Sequence, residues 1–169
     1  MLRGPSAGGE DVQALDDRAL LQALAGGRWR FVNRQPSSGT RLLMDHLLAT
    51  AHLQPTHING YQTRVEVTHV AVAAAVASGT ADIGLGIEAA AHEFGLVFRP
   101  LADEDYFLVC LKHALDTPPV RALRATLACA AWAQTLQTLP GYGVQQPGEV
   151  LSLKRALPWW TYRRVKTRA

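Results

Sequence analysis

The sequence has no apolar run long enough to cross a bilayer. Its longest nearly uncharged stretch, Val70 to Ala81, is about a dozen residues of mostly alanine and valine, whereas a transmembrane helix takes about 20. Cysteine is scarce: Cys110 and Cys129 are the only two among 169 residues, with no CxxC pair and no Cys/His cluster at metal-ligand spacing. Cys110 lies in an apolar strand-like run and Cys129 in an alanine-rich helical one. Both are therefore expected to be buried reduced thiols, which suits a cytoplasmic setting. The first 17 residues lack the apolar core of a secretory signal, so no export address is expected. Aromatic residues make up only 7% and charged ones 18%, yet 48% hydrophobic content is too much for a disordered chain and enough for one compact domain.

Charge of one sign is missing from the end of the chain. From Val150 onward there are six basic residues (Lys154, Arg155, Arg163, Arg164, Lys166, Arg168) and no acids, while residues 1–149 hold 11 basic and 14 acidic ones. The formal charge of +3 thus combines an acidic body of −3 with a basic tail of +6. A pI near 9.1 raises the question of nucleic acid. Because the basic character sits in the last few residues, a nucleic-acid-binding body is disfavoured. Trp159 and Trp160 stand beside this tail and read most simply as cover for the domain edge, with the last residues a solvated tail.

What is present is an alternation of elements. Residues 1–12 are a Gly/Pro/Ser-containing lead, expected to be flexible. Asp16 and Asp17 precede Leu20, Leu21 and Leu24, and Gly26 and Gly27 follow, which predicts a short helix with an acidic first turn. Trp29 to Asn33 reads as a strand, and a helix follows from Arg41 on a stripe of Leu42, Leu43, Leu47, Leu48 and Leu53, with Met44 in the core. The unit recurs: His57 to Tyr61 as a short strand, then a helix capped by Thr68, running to Ser78 and stopped by Gly79. Ala81 to Ile87 reads as a buried strand, Glu88 to Phe94 as a helix, Leu96 to Leu101 and 105–112 as further strands, and Val120 to about Leu139 as a closing helix containing Trp132. Short joints between alternating strands and helices predict an α/β fold with a parallel sheet. The expected organisation is a lead over 1–12, an α/β lobe with its closing helix over 13–141, and an extension over 142–169.

The loop from Asn33 to Arg41 (NRQPSSGTR) carries the most chemistry. A helix that starts after Ser-Ser-Gly-Thr offers unpaired backbone N–H groups, hydroxyls at Ser37, Ser38 and Thr40, the positive end of its dipole, and Arg34 and Arg41 nearby. These are the parts of an anion site, and Gly39 lets a ligand approach the backbone. The plainer reading is that Ser37 or Ser38 is an N-cap and the arginines are solvated. Thr68 and His69 open the next helix at the sheet edge where α/β folds hold ligands. Asp82 reads as a residue that ties down a strand end, and Gly84 and Gly86 suggest a close approach in that strand. Neither a GxxxxGK phosphate loop nor a GxGxxG fingerprint is present, and no cofactor is expected. The histidines at 46, 52, 57, 69, 92 and 113 form no recognisable pair with a nucleophile, so the chain reads as non-catalytic.

Three stretches, RFVNRQPSSGTRLLMDHLL (30–48), INGYQTRVEVTHVAVAAAVASGTADIGLGIEAAA (58–91) and LPGYGVQQPGEVLSL (139–153), together resemble the periplasmic-binding-protein-like domain of bacterial regulators and molybdate-related proteins. That domain often stands behind a helix-turn-helix. The SSGT loop is similar to the anion loop of tungstate- and molybdate-binding proteins of the type II fold. The resemblance implies a bacterial small-ligand sensing or carrying lobe, with Ser37, Ser38, Gly39 and Thr40 as donors and Thr68 and His69 facing them. It also implies a second lobe only. The first lobe and the helix-turn-helix are not represented in the sequence, and the 105–112 strand looks like the crossing toward that lobe. An apolar surface without a partner in the chain is the expectation, satisfied by self-association or a separate first-lobe or DNA-binding partner; a truncated remnant or interaction module with a vestigial site is the alternative.

Overall fold

The computed structural model describes residues 1–2, 12 and 14–159. Most of the expected flexible lead, and the tail with Trp160, Tyr162 and the last four basic residues, lie outside the described residues. The chain packs as two units: Met1–Tyr106 with Leu139–Gly141, and Phe107–Thr138 with Tyr142–Ala169.

The first unit is built on three parallel strands, β1 (Phe31–Arg34), β2 (Val65–Glu66) and β3 (Ile83–Gly84), in the order β2-β1-β3. Helix α1 (Asp17–Ala25) precedes β1, α2 (Gly39–Thr50) links β1 to β2, α3 (His69–Ala77) links β2 to β3, and α4 (Glu88–Glu93) follows β3. The helix signals in the sequence act as expected. Asp16 accepts from the Ala19 N–H at 2.7 Å, Ser38 from Arg41 at 3.1 Å and Thr68 from Ala71 at 3.0 Å. Gly79 and Gly95 follow α3 and α4 with φ of 77° and 62°, left-handed values that a glycine adopts without strain.

The pleat of β1 divides the core. Phe31 joins Leu20, Leu21 and Leu24 of α1, Met44 and Leu48 of α2, and Ile58, Tyr61 and Ile83. Its neighbour Val32 joins Val72, Ala73 and Val76 of α3 and Ala90 and Ala91 of α4. Successive side chains thus enter two clusters on opposite faces of a sheet covered by helices on both sides. Gly84 is required on the second face, because a Cβ there would lie 2.6 Å from Val72 Cγ1 and 2.8 Å from Val32 Cγ1.

Several predicted elements differ. The 57–61 stretch is a turn rather than a strand: Pro55–His57 is a 3-10 turn, Gly60 has φ of 97°, and the strand falls on Val65–Glu66. The Ala81–Ile87 strand shrinks to Ile83–Gly84, and the 96–101 stretch contributes one antiparallel bridge, from Val97 to Leu2. The 105–112 stretch forms no strand and has no pairing neighbour among the described residues, with Tyr106 and Val109 82% and 83% exposed. The closing helix is two helices, α5 (Pro118–Ala128) and α6 (Ala130–Gln137), because Cys129 takes an extended ψ of 148°. Both cysteines are exposed, which corrects the expectation of buried thiols.

The second unit also contains α7 (Leu153–Ala156), and none of its described residues is buried. Trp132 is only half-buried and Trp159 is 77% exposed, so Trp159 covers no edge.

Candidate functional site

Strand order places the site. The chain leaves β1 toward β2 through α2, then returns past β1 to β3 through α3, so the connections diverge at the carboxyl end of β1. A crevice at such a point is where open α/β sheets hold ligands. A cavity of about 270 Å³ lies here, lined by Arg34, Gln35, Ser38, Gly39, Thr40, His69, Glu104 and Tyr106.

Arg34 ends β1 and is only 8% exposed. Its backbone is fixed by Asn33, whose side-chain oxygen accepts from the Arg34 N–H at 2.9 Å while its Nδ2 donates to Tyr61 O at 3.1 Å. The guanidinium donates from Nε to Gln35 at 3.2 Å and from Nη2 to Val67 O at 3.1 Å. Its third nitrogen, Nη1, is buried with no hydrogen-bond partner, and so is His69 Nδ1 across the cavity wall. Burial lowers the His69 pKa from its ordinary value, and the Arg34 charge lowers it further. Unsatisfied buried polar atoms are costly, and both of these belong to residues that line one cavity.

The helix start supplies further donors. Ser38 spends its hydroxyl proton on Gln35 O at 3.0 Å and accepts from Arg41 N, so it acts as an N-cap. That leaves the first-turn N–H groups of Gly39 and Thr40 outside the helix ladder. A Cβ at Gly39 would meet nothing within 4 Å, so there the glycine leaves an open approach rather than relieving a clash. Gly86 is different, since a Cβ there would press on the Met1 side chain and come 3.3 Å from His69 Nδ1.

The structure therefore brings together Arg34, Ser38, Gly39, Thr40 and His69, and leaves three expected residues out. Ser37 is exposed and does not line the cavity. Thr68 is occupied as the cap of α3. Arg41 turns away: its Nε reaches Asp45 at 3.3 Å, Nη1 reaches Tyr61 O at 3.4 Å, and the guanidinium lies 4.2 Å from the centre of the Tyr61 ring. Asp82 ties down a strand end as expected, accepting from the backbone and side chain of Arg30. Gln35, Glu104 and Tyr106 were not singled out from the sequence. Gln35 stood inside the loop beside Arg34, whereas the acidic 103–105 run gave no sign that one carboxylate reaches the cavity. Among the described residues, no three His, Cys, Asp or Glu side chains gather to hold a metal, and no helix is long and apolar enough to cross a membrane.

A three-stranded parallel sheet flanked by helices, with a crevice at the switch point, is the architecture of a ligand-binding α/β domain. The chain belongs to the PBP superfamily, whose domain matches residues 16–128. It is 35% identical over 122 residues to an uncharacterized protein of Bacillus subtilis (strain 168), YvgK, covering 72% of this chain and 39% of that protein. It is 30% identical over 112 residues to an uncharacterized protein encoded 5′ to a 2Fe-2S ferredoxin gene in Clostridium pasteurianum, covering 66% of this chain and 98% of that protein. The chain thus spans well under half of the Bacillus relative and nearly all of the Clostridium one. No solved structure matches it significantly.

Proposed function

We propose that this chain is a non-catalytic binding or sensing domain for a small oxyanion such as molybdate or tungstate, related to bacterial transcriptional regulators and transport binding proteins. The observation that carries the reading is the pair of unpartnered buried nitrogens, Arg34 Nη1 and His69 Nδ1, on a cavity that also receives the first turn of α2. Membership of a superfamily of ligand-binding domains supports it. A cavity of about 270 Å³ suits a small anion with its water rather than a nucleotide. Ligand residues under this reading are Arg34, Gly39, Thr40 and His69, with Ser38 holding the loop. Ser37, Arg41 and Thr68 act outside it.

Thermal unfolding with millimolar molybdate, tungstate, sulfate and phosphate tests this. At least one anion raises the melting temperature of the wild-type chain, and Arg34→Gln, verified as folded by circular dichroism, loses that rise. No shift with any of the four overturns the reading.

A second reading is favoured by a separate observation. The apolar run at 106–111 lies exposed, Leu108 and Leu111 being 69% and 67% open, and the unit that follows buries no side chain among its described residues. Such surface fits a chain that docks on a separate lobe or on another copy, with the cavity vestigial. Light scattering separates the two: a monomer that binds anion favours sensing, and an oligomer with no anion response favours the interaction module.

A further inference from the structure

The charges around the cavity do not balance a divalent ligand. Arg34 contributes one positive charge and Glu104 one negative, and His69 is held neutral near pH 7. A dianion in this setting leaves a buried excess of negative charge, which costs free energy unless a proton or cation accompanies it. His69 is the group placed to respond. Its side chain lines the cavity, its Nδ1 is buried and unpartnered, and its backbone stands at the positive end of α3.

Resting on the oxyanion-site reading, we propose that a divalent oxyanion enters this cavity together with a proton, which settles on His69 and turns Nδ1 into a charged donor. The balance is simple: one solvent proton adds to the imidazole as one dianion binds, and no bond of the anion is broken. The surrounding charges support this assignment. Arg34 on β1 repels a proton from His69 in the empty site, and an anion between the two removes that repulsion. Glu104 lines the same cavity. On the other elements packed against α3, β3 carries no charged residue, β2 ends in Glu66, and α4 carries Glu88, His92 and Glu93. The buried Met1 amino group, lowered to about 6 by desolvation, donates to Gly84 O at 3.0 Å and is the second titratable group on this side. A measurement that resolves individual residues is therefore needed.

The test is an imidazole NMR titration of the full chain with and without saturating molybdate, the His69 signal being assigned by its loss in His69→Gln. The expected result is a His69 pKa at least about one unit higher when molybdate is bound. Calorimetry in buffers of different ionisation enthalpy then shows net proton uptake at pH values between the free and the bound pKa of His69, and across that window affinity falls by up to about tenfold per pH unit. Molybdate that binds with the His69 pKa unchanged overturns the proposal and leaves the oxyanion site standing, with a neutral Nδ1–H as donor. Molybdate, tungstate, sulfate and phosphate all failing to bind overturns both.

Discussion

The Tyr61 hydroxyl donates to Asp45 Oδ1 while the Arg41 guanidinium lies over the Tyr61 ring, 4.2 Å from its centre. This arrangement pins the start of α2 to the turn before β2. It also explains why the arginine at the edge of the SSGT loop does not line the cavity: its guanidinium is engaged by an aromatic face and by a carboxylate one helical turn away.

Tyr61 is 2% exposed, and burial together with the Asp45 hydrogen bond and charge pushes its phenol up to about 12. A folded value above the ordinary 10 means that the native state holds this proton more tightly than the unfolded chain does. Stability from this group is therefore fully present below pH 10 and is lost as pH rises from 10 towards about 12. Tyr61→Phe is expected to cost about 1–2 kcal/mol in urea unfolding at neutral pH. It should also flatten the alkaline decline over that window.

His69 carries the opposite sign. Its folded pKa lies below the ordinary 6.5, so the unfolded chain binds its proton more tightly and stability falls as pH drops through 6.5. His69→Leu removes a buried unpartnered nitrogen and this acid-side loss together. Unfolding of the ligand-free chain should therefore occur at equal or higher denaturant concentration in the variant, with a weaker loss of stability as pH falls below 6.5. The anion-induced rise in melting temperature should be reduced or absent in the same variant.

Ser37 and Ser38 are separated by one measurement. Ser38→Ala removes the cap that accepts from Arg41 N and should cost about 1 kcal/mol. Ser37→Ala, at an exposed position, should change stability by less than about 0.5 kcal/mol.

The two thiols give a direct check on their exposure. Cys110 and Cys129 should both react with a disulfide reagent in the native protein, at rates little changed by denaturant.

Local chemistry made much of this fold legible in the sequence. Asp16, Ser38 and Thr68 announce helix starts because a short oxygen-bearing side chain before an apolar stripe has few better uses. Strand lengths were less legible. Gly84 and Val97 sit in apolar runs of similar texture, but whether such a run pairs depends on a distant neighbour rather than on its own residues. The 105–112 run shows this most clearly, being apolar enough for a central strand and left without a partner. At the cavity, the loop gave Arg34, Gly39 and Thr40 because helix geometry fixes where first-turn N–H groups point. Arg41 lies off the cavity lining because of the Tyr61 ring, which nothing in its spacing revealed, and Glu104 is joined to the cavity only by tertiary folding.

The strand β1 is shared by both halves of the core, Phe31 on one face and Val32 on the other, and Arg34 is its last residue. Loosening either face frees the arginine, so ligand occupancy and cooperative folding of this unit are thermodynamically one equilibrium. Under the proposed function, an anion held at Arg34 is expected to slow amide exchange on α1 and α4 alike.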